Sequence, residues 1–214
     1  MKLRGVTLIY GPPGAGKTTL AALYALNYEK VFWVSAFEDE NTFRNNMSAL
    51  GYNFGNKLVF WEAPLTDVST FFTTLVDAVL KDRPGVIVID SITEFLSLGG
   101  GIDIIHNVVY RAIRQGGIDV ILTAEKEVAM KVAYIADNVL ELIYEVRPYG
   151  AYRELVVRKI RGGKAGYSIP IAIAEGLGLI FFKPKREKAS LPEPIKTGMC
   201  LDEARGCIKE CYTP

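Results

Sequence analysis

Gly11-Pro12-Pro13-Gly14-Ala15-Gly16-Lys17-Thr18, with Thr19 directly after it, is the stretch that decides the fold. It fits the pattern G-x-x-x-x-G-K-S/T in full. The setting agrees: an apolar run over residues 6–10 precedes it, and Leu20, Leu23, Tyr24 and Leu26 follow at helical spacing within residues 17–28. Strand, glycine loop and helix in that order are the context such a loop requires. Glycines let the backbone close around a phosphate and turn several N–H groups inward. The start of the helix adds partial positive charge. Residues 11–19 therefore read as a binding loop for the phosphates of a nucleotide. Lys17 would reach the β and γ phosphates, and the Thr18 hydroxyl would ligate Mg²⁺.

Outward from the loop, strand-like and helix-like segments alternate. Residues 31–34 are apolar and β-rich. Phe43, Met47 and Leu50 lie three or four apart in residues 41–50, closed by Gly51. Residues 58–61 read as a strand. Asp67 is placed to cap a helix carrying Phe71, Phe72, Leu75, Val76 and Val79, which must stop before Pro84. Val86-Ile87-Val88-Ile89-Asp90 is a continuous apolar run of the kind buried on both faces of a parallel sheet. A helix is expected over 104–114 and a strand over 120–123. Such alternation builds βαβ units. After about residue 138 the chain reads as strands at 139–146, 152–160, 169–174 and 179–182. Short Gly- and Pro-containing turns separate them, which predicts antiparallel pairing. The fold class is α/β, a mostly parallel sheet extended by antiparallel strands, over residues 1–182. A polar tail over 183–214 follows.

Composition sets limits. The chain has 214 residues, of which 25 are Lys or Arg and 24 Asp or Glu, a net charge of +1. That balance excludes a polycation that grips nucleic acid by bulk charge. No run approaches the length of a membrane-spanning helix, and the apolar run at the start is too short for a signal peptide. A cytoplasmic protein without membrane association is expected.

Asp90 ends a buried strand, where a carboxylate can hold the Mg²⁺ shell beside the phosphates. Hydrolysis of a bound nucleotide would also need a group to activate water, and such groups stand at the C-terminal ends of strands. The run Ala36-Phe37-Glu38-Asp39-Glu40 supplies three carboxylates at one such end. Asp39 and Glu40 have a competing use as cap and dipole partners of the helix near Asn41.

At this point the chain resembles the KaiC-type ATPases of the RecA superfamily, a group that includes archaeal RadA-like recombinases and their paralogues. The resemblance rests on a series of blocks in the family's order. These are residues 7–19; Val34-Ser35-Ala36-Phe37-Glu38-Asp39; Arg44-Asn45-Asn46-Met47; Val88-Ile89-Asp90-Ser91; Leu122-Thr123-Ala124-Glu125; Ile135-Ala136-Asp137-Asn138-Val139; and Lys159-Ile160-Arg161-Gly162. The family carries a Glu pair after its second strand, one member of which activates water. Glu38 matches that catalytic position. Its companion is either Phe37, a lost carboxylate, or Asp39, in a pair Glu38-Asp39. The lost partner implies slow turnover. Thr123 and Glu125 match a phosphate-sensing position. Lys159 and Arg161, alternating on one strand face, match cations that reach the nucleotide of an adjacent subunit, which implies a homo-oligomer; their plain alternative is a solvated basic face. The family's longer segment before the first strand has no counterpart ahead of Val6, so assembly is expected either to differ or to stop at a monomer or dimer.

Two further classes stand beside the ATPase reading. One is a nucleotide-dependent interaction module without turnover, and the other a recombinase-paralogue accessory factor in DNA repair. The expected DNA loops, 97–101 and 125–134, lack aromatic platforms and a funnel of positive charge, so DNA is not indicated. Lys183, Lys185, Arg186 and Lys188 read as a solvated basic run. His106 reads as structural. Cys200, Ala204, Cys207, Ile208 and Cys211 form one stripe if residues 199–211 are helical. The cysteines would then act as small hydrophobes, as a disulfide, or as part of a metal site.

Overall fold

Alternation along each strand decides how this chain packs. In β1 (Val6–Tyr10), Val6, Leu8 and Tyr10 enter one apolar layer, while Ile9 enters the other. β2 (Val31–Ser35) sends Phe32 and Val34 one way and Val31 and Trp33 the other. β4 (Val86–Asp90) divides likewise, Ile87 and Ile89 against Val86 and Val88. Strands buried on both faces need no polar face, which is why these runs are continuously apolar. The structure is a computed structural model that describes residues 3–63, 67–97, 101–110, 116–148, 150–182, 195–202 and 207–213.

The central sheet has nine strands in the order β3-β2-β4-β5-β1-β6-β7-β8-β9. Its remaining members are β3 (Leu58–Glu62), β5 (Asp119–Ala124), β6 (Asn138–Arg147), β7 (Gly150–Ile160), β8 (Tyr167–Ala174) and β9 (Gly178–Phe181). From β3 to β6 every neighbour is parallel, and from β6 to β9 every neighbour is antiparallel. This is the expected α/β class, a mostly parallel sheet with an antiparallel extension.

Helices cover both faces. α1 (Lys17–Ala25) belongs to the layer that holds Trp33, Phe43 and Leu140. α2 (Glu40–Ala49) docks on the same side. Its Phe43 ring lies 4.5 Å from Trp33 and 5.2 Å from Phe60. α3 (Val68–Asp82), α4 (Ile92–Ser97), α5 (Ile102–Tyr110) and α6 (Lys126–Val132) cover the other face. Asp67 caps α3 by accepting the Thr70 N–H at 3.0 Å, as its spacing predicts. None of the described helices is long and apolar enough to cross a membrane.

Some expectations change. The segment 125–134, read as an open loop, contains α6, and α4 follows β4 at once. The other expected loop, 97–101, lies largely outside the described residues. Arg161 does not share a strand face with Lys159: β7 ends at Ile160, and Arg161 lies in the turn after it.

The chain divides into two units, residues 1–183 and 184–214. In the second, β10 (Ile195–Asp202) pairs antiparallel with β11 (Cys207–Thr213). The helix expected over 199–211 is therefore corrected to strand on both sides of residues 203–206. Ile195, Thr197, Ile208, Tyr212 and Thr213 are strand formers. Gly198 would weaken a helix by about 1 kcal/mol relative to Ala. The register sets Cys200 opposite Lys209, Cys207 opposite Asp202 and Cys211 opposite Gly198.

Candidate functional site

The parallel strands all end on the same side of the sheet, and the motif residues follow from that. Ser35 ends β2, Asp90 ends β4, and Thr123 stands one residue before the end of β5. Each continues the face that looks toward α1, since Trp33, Val88 and Ile121 precede them by two residues in that layer. The loop 11–16 leaves the end of β1, the strand next to β5.

The loop has the shape of a cradle. Gly16, the N-cap of α1, takes φ 101° and offers no side-chain cap, and no acidic residue occupies the first turn. The first N–H groups of the helix are thus left for an anion. A Cβ on Gly16 would stand 2.5 Å from Ile173 Cδ1, and one on Gly11 would stand 2.4 Å from the Leu142 carbonyl oxygen. Only glycine fits either place. Lys17 Nζ donates to the carbonyls of Gly11 (2.8 Å) and Pro12 (3.1 Å), so the lysine lies along the loop. Partial burial lowers its pKa, while the charges of Glu125, Asp90 and Glu94 act to keep it protonated.

Asp90 accepts hydrogen bonds from the hydroxyls of Thr123 and Thr18. Burial raises its pKa, opposed by those two bonds and by Lys17. A carboxylate and a threonine hydroxyl in contact beside a lysine are a hard oxygen donor pair suited to Mg²⁺. The donor set and the cradle fit Mg²⁺ and a polyphosphate.

Glu38 is built by the turn after β2. Ser35 Oγ accepts the N–H of Glu38 (2.9 Å) and of Phe37 (3.3 Å). Asn46, one turn into α2, donates to Glu38 Oε1 at 3.1 Å. Burial raises the Glu38 pKa first of all; the Asn46 bond opposes this, and the charges of Asp90 and Asp39 add to it. Asp39 is occupied elsewhere as the cap of α2, accepting the Thr42 N–H at 3.0 Å and the Thr42 hydroxyl at 2.7 Å. Glu40 pairs with Arg44 at i,i+4. Of the three carboxylates at this strand end, Glu38 alone is neither capping nor in an ion pair among the described residues. Phe37 beside it is 71% exposed.

Lys159 and Arg161 do not join this group. They stand where β7 meets the start of β6, the opposite end of the sheet from the loop. Lys159 Nζ donates to the Ala136 carbonyl at 2.6 Å, and Arg161 pairs with Asp137 at 2.9 Å. Thr123 bonds to Asp90, and the Glu125 N–H donates to Thr93 Oγ1 at 2.9 Å, which ties β5 to α4. Glu94, which sequence reasoning did not single out, acts electrostatically on Lys17 and has a buried Oε2 without a hydrogen-bond partner among the described residues. Its signal is its place four residues after Asp90, where a helix starting at the strand end turns back over it. His106 Nε2 meets the Tyr134 hydroxyl at 2.6 Å.

Comparison with known proteins adds a family and a fold. The family model described as "ATPase: KaiC" matches residues 1–186. No curated protein sequence matches the chain. Among solved structures, a KaiC-like protein from the hyperthermophilic archaeon Pyrococcus horikoshii superposes with a TM-score of 0.70 at 20% identity, over 84% of this chain and 89% of that one. The flagellar accessory protein FlaH from Methanocaldococcus jannaschii superposes with a TM-score of 0.72 at 16% identity, over 85% and 91%. At these identities the two structures establish the RecA-like fold.

Proposed function

The chain belongs to the KaiC-type ATPase family, and from that premise we propose that it binds ATP with Mg²⁺ on residues 11–19 and hydrolyses it slowly in the cytoplasm. The observation that carries this is the convergence of Lys17, Thr18 and Asp90 at one strand end, with Glu38 close enough to feel the charge of Asp90. The loop N–H groups and Lys17 hold the phosphates. Thr18 and Asp90 would hold Mg²⁺, which neutralises phosphate charge when bound. Glu38, oriented by Asn46, takes the proton of a water that attacks the γ-phosphorus, and the bond to the leaving ADP oxygen breaks. Its raised pKa makes it a stronger base than an ordinary glutamate.

Nucleotide state couples to assembly in this reading. Lys159 and Arg161 stand at the far end of the sheet from this chain's own loop, so a nucleotide they serve belongs to a second copy. Supplied charge of that kind stabilises the transition-state oxygens. Phe37, in the place of a family carboxylate, favours a second reading: a module that binds ATP and switches partners without turnover. A DNA-repair role draws no support from α6, which replaces one expected DNA loop.

Lys17→Ala tests the proposal. ATP affinity by calorimetry should fall about a hundredfold, the cost of removing one member of a desolvated charge pair. Unchanged affinity would overturn the phosphate-loop reading. Tight binding by the wild type with no phosphate release would favour the switch.

A further inference from the structure

The phosphate loop touches more than its own strand and helix. Tyr144 on β6 and Arg153 on β7 are directly paired residues of the antiparallel extension. The Arg153 guanidinium carbon lies 4.5 Å from the centre of the Tyr144 ring. Arg153 Nη2 donates to the Gly14 carbonyl at 3.2 Å, a contact across 139 residues of sequence. A Cβ on Gly14 would stand 3.5 Å from Tyr144 Cε1, so the ring closes the outer side of the loop there. Arg153 Nε is buried without a hydrogen-bond partner among the described residues. One arginine thus has one donor committed to the loop and its planar face committed to the ring.

We infer that Arg153, seated on Tyr144, is a positioning residue that clamps the phosphate loop from outside and fixes its central peptide for phosphate binding. The peptide plane gives the reason. The C=O and N–H of a trans peptide point in opposite directions. A guanidinium holding the Gly14 carbonyl on one side therefore turns the Ala15 N–H to the other, where it donates to the Pro12 carbonyl at 3.2 Å and holds the turn of the loop closed. Gly14 itself, at φ 75°, provides no side chain to fix that orientation. A glycine loop loses conformational freedom when it closes on a ligand, and a clamp that acts beforehand reduces that loss. A lysine cannot do the same, because it has neither the planar fork nor the stacking face.

The inference rests on the proposed nucleotide site, and its test separates the two. The first measurement is hydrogen exchange over residues 11–16 in nucleotide-free wild type, Arg153→Ala, Arg153→Lys, Tyr144→Ala and Tyr144→Phe. The second is ATP affinity and, where turnover is measurable, KM and kcat for the same set. Arg153→Ala should speed exchange in the loop and weaken ATP binding about five- to tenfold, the scale of one solvent-exposed hydrogen bond. KM should rise while kcat holds. Arg153→Lys should recover little of the loss. Tyr144→Phe, which keeps the ring face, should restore what Tyr144→Ala loses. If loop exchange changes as stated but the wild type binds no nucleotide, the clamp stands and the ATP reading falls. If Arg153→Ala leaves both loop exchange and ATP affinity unchanged, or lowers kcat with KM constant, the clamp is overturned.

Discussion

The two ends of the sheet carry charged motif residues in similar number and treat them differently. At the loop end, Lys17, Thr18, Asp90 and Thr123 are joined by hydrogen bonds or by charge, and Glu38 leans toward them. At the other end, Lys159 and Arg161 are each held by a partner of their own chain, Ala136 and Asp137. Parallel strands explain the difference. Their C-terminal ends all open on one side, so residues far apart in sequence are forced together there. The start of β6 and the end of β7 meet as one antiparallel pair, and there each of the two cations is taken up by a partner of its own chain. On the proposed function, a motif at the first end serves this chain's own nucleotide, and a motif at the second serves that of another copy.

The loop end depends on α2 sitting on its aromatic bed, because Asn46 on that helix holds Glu38. Phe43 is fully buried, with Trp33 and Phe60 against it. Phe43→Ala should cost about 3–5 kcal/mol in chemical denaturation. Native-like turnover in that variant at low temperature would break the link between α2 and the site.

The sign of the Glu38 shift gives a smaller effect. Its pKa is raised, so the carboxylate form is present above that raised value and is lost as pH falls through it. The acid limb of kcat/KM should lie above the pH at which an ordinary glutamate titrates, falling roughly tenfold per pH unit below it. Asp39, whose pKa is lowered by the Thr42 bonds, would give a limb on the other side. The position of the limb thus tells the two carboxylates apart.

Much of this was legible because local pattern and tertiary role coincide. Val86-Ile87-Val88-Ile89-Asp90 reads as a doubly buried strand with a carboxylate at its end, and it is one. Asp67 reads as a cap and caps. Spacing offers both Asp39 and Glu40 as the cap of α2; the bond to Thr42 decides for Asp39. α6 was illegible for a different reason. It has seven residues, and its N-cap Glu125 makes no side-chain cap bond, so it lacks a start signal. The tail misled because the stripe 200, 204, 207, 208, 211 fits a helix, while the β-forming residues beside it won. Glu94 and Arg153 carry no motif. Each is recruited by contacts that only the folded sheet creates.

The smallest expected effect sharpens the comparison directly. Mixing Glu38→Gln with Arg161→Ala subunits should restore activity if Arg161 serves a neighbour. In a one-to-one mixture roughly a quarter of head-to-tail interfaces pair an intact Glu38 with an intact Arg161. No recovery in a mixture shown to co-assemble would leave Arg161 as a surface ion pair to Asp137, worth at most about 1 kcal/mol.

The account stands most directly on Glu38. ATP binding and phosphate release should be measured on the same preparations of wild type and Glu38→Gln, with Mg²⁺ present. The account predicts similar ATP affinity in both and turnover reduced about a hundredfold or more in the variant. Equal turnover in the two proteins would contradict it.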